Sequence, residues 1–289
     1  MPTGRPQGNT RVSGKEQYYT PRAVADAVVA RLIAQHPDAA TRPWLEPAGG
    51  TGAFVEAAHA AGVTDVISLD IDPRHPAVTH GDFLATDLDL THAVAVSNPP
   101  FGRNNALAVP FFNRAARYAD LICFIVPRSW RKWSVINRLD PGFTLGDDYD
   151  LDVAYVDAAG APIADHGLLR TVVQTWVRTD VPRPRIEVLD RNVVERVDPV
   201  HADVALTVFG YGCGTVRTDF ARTPNTTQMF LRLVHPRALE ALRAVDFARF
   251  FQRTAYTPAL ALPEINYLLN EYLFADPGLV NPVDPRLIG

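Results

Sequence analysis

Cysteine is scarce in this chain. Cys123 and Cys213 are the only two in 289 residues, far apart and in unlike contexts. That argues against a disulfide framework and against a cysteine-built zinc site, and it makes a reducing, cytoplasmic setting the expectation. The eight histidines show no metal-ligand spacing, so no metal is expected. No long uncharged apolar run is present, which leaves no transmembrane span and no membrane partner. An excess of positive charge is missing too. The formal net charge is −4, so any nucleic-acid binding needs a local basic face. No Ser/His/Asp or Cys/His nucleophile set stands out. There is no internal repeat and no low-complexity tract.

What is there is enough for a packed core: 47% of residues are apolar and 21% charged. The first residues, "MPTGRPQGNTRVSGKEQ", are polar and Gly-rich and lack the apolar core of a signal peptide; residues 1–16 read as a flexible arm. "TPRAVADAVVARLIAQH" has helical spacing, with Thr20 as the expected N-cap and Pro21 at the first helical position. Short apolar strands then alternate with helices. The strands are "RPWLEP", "DVISLDID", "VTHGDFL", "HAVAVSNPPF" and "DLICFIVP". "YDLDVAYV" and "TVVQTWVRT" alternate as an edge hairpin would. The expected fold is α/β: a doubly wound, Rossmann-like sheet with an antiparallel edge hairpin over residues 17–180, and a small α+β part over residues 181–289.

Ligands of such sheets bind beyond the carboxyl ends of the strands. Four stretches meet there. "EPAGGTGAF" follows the first strand. Its Gly49, Gly50 and Gly52 permit a tight turn and close approach, and Glu46 at the strand tip suits a cation and repels a phosphate. The stretch is neither a Walker loop nor a spaced G-x-G-x-x-G. Asp70 ends the second strand, where an acid accepts both hydroxyls of a ribose. Asp82 and Phe83 follow the third and suit an adenine amino group and its ring face. Asp72, beside Pro73, reads as a turn residue. One ligand joins a ribose, an adenine and a positive charge: S-adenosylmethionine, with its amino-acid end toward the Tyr19–Thr20 corner. The fourth strand stops at Asn98, Pro99, Pro100 and Phe101. Two acceptors, the Asn98 carboxamide oxygen and the Pro99 carbonyl, suit the hydrogens of an exocyclic amine, and Phe101 suits the face of a base. A Ser in place of Asn98 would suggest cytosine; Ser97 precedes the motif without replacing it.

In that order the motifs resemble those of the S-adenosylmethionine-dependent N6-adenine methyltransferases. With "YYTP" first they are similar to the γ class of DNA adenine methyltransferases, over roughly residues 17–180. The resemblance implies that Tyr19, Thr20 and Pro21 cover the methionine end of the cofactor. It implies that Glu46, Pro47, Gly49, Gly52 and Phe54 form the cofactor loop, that Asp70 holds the ribose, and that Asp82 and Phe83 hold the adenine. Asn98, which also borders the cofactor, forms the methyl-transfer motif with Pro99, Pro100 and Phe101. "FIVPRSW" resembles the stretch that borders the target base.

The strip "PRSWRKWSVINR" places Arg128, Arg131 and Lys132 near Trp130 and Trp133. Two readings of it stay open: a nucleic-acid face, or a helix with core tryptophans and solvated cations. The functional expectation is an enzyme acting on adenine N6 in DNA. RNA adenine is the alternative, and a cofactor-binding subunit without catalysis ranks lower. Protein glutamine methylation also ranks low, since that motif carries Tyr where this chain has Phe101.

Overall fold

The structure, a computed structural model, describes residues 18–157, 159–163, 169–221 and 224–288. The expected arm, residues 1–16, lies outside the described residues. The chain forms two compact units. The first comprises Met1–Val126, Gly146–Gly167 and Thr171–Arg178; the second comprises Pro127–Leu145, Leu168–Arg170 and Thr179–Gly289.

The first unit contains helix α1 (Arg22–Gln35), strand β1 (Trp44–Glu46), helix α2 (Ala53–Ala60), and strands β2 (Val66–Asp70), β3 (Thr79–His80) and β4 (Ala93–Ser97). Helix α3 (Ala108–Ala115) follows, and strands β5 (Ala119–Pro127), β6 (Phe143–Leu151) and β7 (Thr171–Arg178) complete the sheet, with Pro127 and residues 143–145 counted in the second unit. The strand order is β3-β2-β1-β4-β5-β7-β6, and β1 to β5 pair in parallel. Arg178, at the end of β7, donates to the carbonyls of Ala116 and Ala119 at the start of β5, so β7 runs against β5. Tyr155, just past β6, donates to Thr171 at the start of β7, which gives the hairpin sense expected from the alternating pattern.

Every residue of Ala93–Ser97 is buried, as a central parallel strand with covered faces requires. The core beside it interleaves aromatic rings. Phe112 of α3 meets Phe124 edge-on at 6.3 Å and Trp176 at 5.8 Å. The winding reverses between β1 and β4, so the crevice for a ligand opens where Glu46 and Ser97 end their strands.

Two expected boundaries are corrected. The first hairpin strand runs over Phe143–Leu151 and not over residues 149–156, where Val156 makes only isolated bridges to Tyr19 and Pro162. α1 begins at Arg22, and Pro21 is its N-cap with no side-chain capping bond. Thr20 does not cap the helix, because its hydroxyl oxygen accepts from Asn98 Nδ2 at 3.1 Å. The Pro21 carbonyl takes the first helical N–H groups, from Val24 and Ala25.

The second unit holds helix α4 (Trp133–Ile136) and a four-stranded antiparallel sheet of β8 (Val194–Arg196), β9 (Val204–Phe209), β10 (Val216–Arg217) and β11 (Thr227–Leu233), in the order β10-β9-β11-β8. Helix α5 (Ala238–Ala244), a 3-10 helix over Phe247–Arg253, α6 (Leu262–Phe274) and α7 (Pro285–Ile288) follow. It is α+β, as the later sequence pattern suggests. No helix of the described residues is long and apolar enough to cross a membrane.

Phe112 is fully buried between two rings, whereas Leu107 at the entry to α3 is 42% exposed. Phe112→Ala should lower the unfolding free energy by about 3–5 kcal/mol and Leu107→Ala by less than about 1 kcal/mol. Urea midpoints of the two variants check the contrast.

Candidate active site

The last residue of β1, Glu46, is 3% exposed. Its Oε1 accepts from Ser97 Oγ at 2.6 Å and from the Ala48 N–H at 3.0 Å. Burial nevertheless dominates these bonds and pushes the carboxyl up to about 8. Glu46 is therefore largely neutral at neutral pH.

The glycine turn after Glu46 is braced by Asp70. Asp70 Oδ2 accepts from the Gly50 N–H and Oδ1 from the Asp72 N–H, both at 2.8 Å. Each oxygen keeps acceptor capacity beyond that one bond. The glycines serve the chain's own packing. A Cβ on Gly49 would lie 2.2 Å from Ser68 Oγ, and one on Gly50 would lie 2.7 Å from the Tyr19 ring. One on Gly52 would lie 2.4 Å from His75. The Tyr19 ring thus lies over the turn, and the Tyr19 backbone pairs with Val156 in both directions. Asp72 is the turn residue expected, with an ion pair to Arg74 at 2.8 Å.

Asn98 stands one residue beyond β4. Its Nδ2 donates to the Tyr18 carbonyl at 2.9 Å and to Thr20 Oγ1 at 3.1 Å. Only the amide nitrogen can donate to a carbonyl, so Oδ1 faces the other way. That oxygen is buried and has no hydrogen-bond partner among the described residues. The Pro99 carbonyl likewise accepts no hydrogen bond among the described residues. Phe101 is 5% exposed, and its carbonyl accepts from Leu107 and Ala108 as the chain enters α3. Gly102, Asn104 and Asn105 all take positive φ in that turn.

The remaining expected site residues are brought less directly to the crevice. Asp82 Oδ1 already accepts from the Leu84 N–H at 2.9 Å in a local turn. The Phe83 ring is 1% exposed and packs against Phe111 at 5.5 Å and Tyr118 at 6.5 Å, so it belongs to the core. Pro47 and Phe54 are buried beside the turn. Ser97 and Ser68 flank Glu46 without having been singled out as site residues. The β1–β2 register pairs Glu46 with Ser68, whose buried Oγ has no partner. Only the register between strands reveals either serine.

The basic strip falls in the second unit. Trp130 has no exposed surface, Trp133 is 4% exposed, and Arg128 is buried. Lys132 Nζ donates to the Ala259 carbonyl at 2.9 Å and to Glu264 at 3.1 Å, so its charge is spent inside the protein. Arg131 is half-buried. The core reading of the two tryptophans is the one this packing satisfies. Among the described residues no group of His, Cys, Asp or Glu is placed to hold a metal ion.

No family model and no curated protein matches the chain. Several solved structures are similar in fold. A candidate RNA methyltransferase from Pyrococcus horikoshii is 19% identical with a TM-score of 0.46, covering 60% of this chain and 91% of that one. The M protein of the type I restriction enzyme EcoKI is 16% identical with a TM-score of 0.43, covering 58% of this chain and 45% of that one. The magnesium protoporphyrin IX methyltransferase of Synechocystis PCC 6803, solved with bound S-adenosylmethionine, is 15% identical with a TM-score of 0.41, covering 55% and 79%. At these identities, with TM-scores below 0.5, the likeness carries no argument about activity or substrate.

Glu46 makes stability depend on pH. Its folded value, about 8, lies above the ordinary 4.5, so between those values the folded state holds a proton that the unfolded state has lost. The stabilisation is full below pH 4.5 and is lost as the pH rises through about 8. Glu46→Gln, which keeps an acceptor for Ser97, should flatten that decline. Urea unfolding of both proteins across the interval checks it; parallel declines would contradict the assignment.

Proposed function

We propose that the first unit binds S-adenosylmethionine and transfers its methyl group to the N6 amino group of adenine in nucleic acid, DNA first among the candidates. The observation that carries this reading is Asn98 Oδ1, a buried acceptor without a donor among the described residues. Leaving such an atom unsatisfied costs about 1–3 kcal/mol, which an N–H from a ligand would recover.

The residues fit the cofactor. Glu46 suits a positively charged group at the crevice, and its ionisation would accompany binding. Asp70 can accept from two ribose hydroxyls while holding Gly50 and Asp72. Tyr19 covers the turn. Bound there, S-adenosylmethionine supplies a methyl group on a positively charged sulfur, already a good electrophile.

The protein's part is positioning. An adenine amine is a weak nucleophile because its lone pair is delocalised into the ring. Asn98 Oδ1 and the Pro99 carbonyl, accepting its two hydrogens, would favour the pyramidal form and free the lone pair. The new N–C bond forms as the C–S bond breaks, and the amine's extra proton then passes to water. The adenine must leave its stack to reach Asn98, and Pro99 and Pro100 hold the backbone rigid behind the amide.

Two variants separate binding from transfer. Asn98→Ala should bind S-adenosylmethionine within a few-fold of the native protein by calorimetry, yet lose roughly 100-fold or more in methyl transfer. Asp70→Ala should lose roughly tenfold or more in cofactor affinity. Transfer retained in Asn98→Ala would refute the acceptor role, and unchanged affinity in Asp70→Ala would refute the ribose assignment.

A further inference from the structure

Arg253 ends the 3-10 helix Phe247–Arg253 of the second unit and is 4% exposed. Its guanidinium carbon lies 4.6 Å from the centre of the Phe250 ring and 5.1 Å from that of Trp133. Among the described residues it makes no hydrogen bond and no ion pair, and Nη1 is wholly buried without a partner. Stacking on two rings returns less than burying a charge without a hydrogen-bonded counter-ion costs. An apolar residue of similar volume would serve the packing better, so the charge needs another explanation.

The local acids are already engaged. Glu264 of α6 is 2% exposed and holds Lys132, and its Oε2 also accepts the Ala261 N–H at 2.8 Å. Glu271 pairs with Arg249. Arg131, half-buried on the neighbouring turn, lies close enough to repel Arg253. Burial, the largest influence, draws the Arg253 guanidinium down to about 10. Glu264 attracts the Arg253 charge through space and Arg249 and Arg131 oppose it, so Arg253 has no hydrogen-bonded counter-ion among the described residues.

We propose that Arg253 forms a binding site for a phosphate group in the second unit. A guanidinium presents a planar fork of donors that matches two oxygens of a phosphate, and an anion there would satisfy the unpaired N–H groups. The choice of phosphate over carboxylate rests on the proposed action on nucleic acid. The group has two sources, a backbone phosphodiester or free phosphate.

The test uses the full chain and Arg253→Met, which removes the charge and keeps most of the volume. The variant should unfold at an equal or higher denaturant midpoint, because it loses an uncompensated charge. In one arm, thermal midpoints are compared in inorganic phosphate and in chloride at matched ionic strength. In the other, affinity is measured for a short single-stranded oligodeoxynucleotide at several salt concentrations. A phosphate-specific rise of the native midpoint that disappears in the variant supports the site and identifies free phosphate as a sufficient ligand. A loss of about tenfold in oligonucleotide affinity, with a salt slope shallower by about one contact, supports it with a phosphodiester as the source. If Arg253→Met changes neither arm, the site is overturned and Arg253 is a stacked core cation. S-adenosylmethionine titration of both proteins keeps the two claims apart. If the native chain fails to bind that cofactor, the proposed function fails while the phosphate arm still reads this site.

Discussion

The candidate active site depends on how one amide is held. Asn98 Nδ2 is fixed by the Tyr18 carbonyl and by Thr20, and the sense of the amide follows because a carbonyl can only accept. Oδ1 is thereby committed to the opposite side, where no donor meets it among the described residues. The other features arrange themselves around this constraint. The fully buried β4 carries the residue to the point where the sheet's winding reverses. The two prolines end the strand there. The segment before α1 gives up the capping role of Thr20 in order to pin the amide. Folding carries an unsatisfied acceptor that a suitable N–H would repay, a common form for a site built to bind.

Much of this is legible in the amino-acid order, for physical reasons. Apolar runs such as Ala93–Val96 announce buried parallel strands, and the prolines after Asn98 announce their end. The long-range pairings are not legible. Glu46 and Ser97 lie 51 positions apart, and only the pairing of β1 with β4 brings them together. Composition also misassigns space. The glycines after Glu46 read as room for a ligand, yet the positions their side chains would fill belong to Ser68, Val78, Tyr19 and His75. Phe83 reads as a ring face for an adenine but is packed between Phe111 and Tyr118. In the strip from Arg128 to Lys132, the mixture of tryptophan and cation suits a base-stacking face and a core helix equally well. Burial of Trp130 and the Lys132–Glu264 pair separate the two.

Each unit contains a buried ionisable group whose charge its surroundings do not neutralise. In the first it is Glu46, held neutral by burial although two donors face it. In the second it is Arg253, stacked on aromatic rings without a hydrogen bond among the described residues. Burying either charge is expensive, and each becomes less so beside a ligand of opposite sign.

The most direct test of the central claim identifies the atom that receives the methyl group. The full chain is incubated with S-adenosylmethionine labelled in the methyl group and, separately, with duplex DNA, single-stranded DNA, RNA and protein extract. Nucleic-acid products are digested to nucleosides and separated. The account predicts that the label co-migrates with N6-methyladenine nucleoside. Label in a cytosine nucleoside or in protein, or in none of the four, would contradict it.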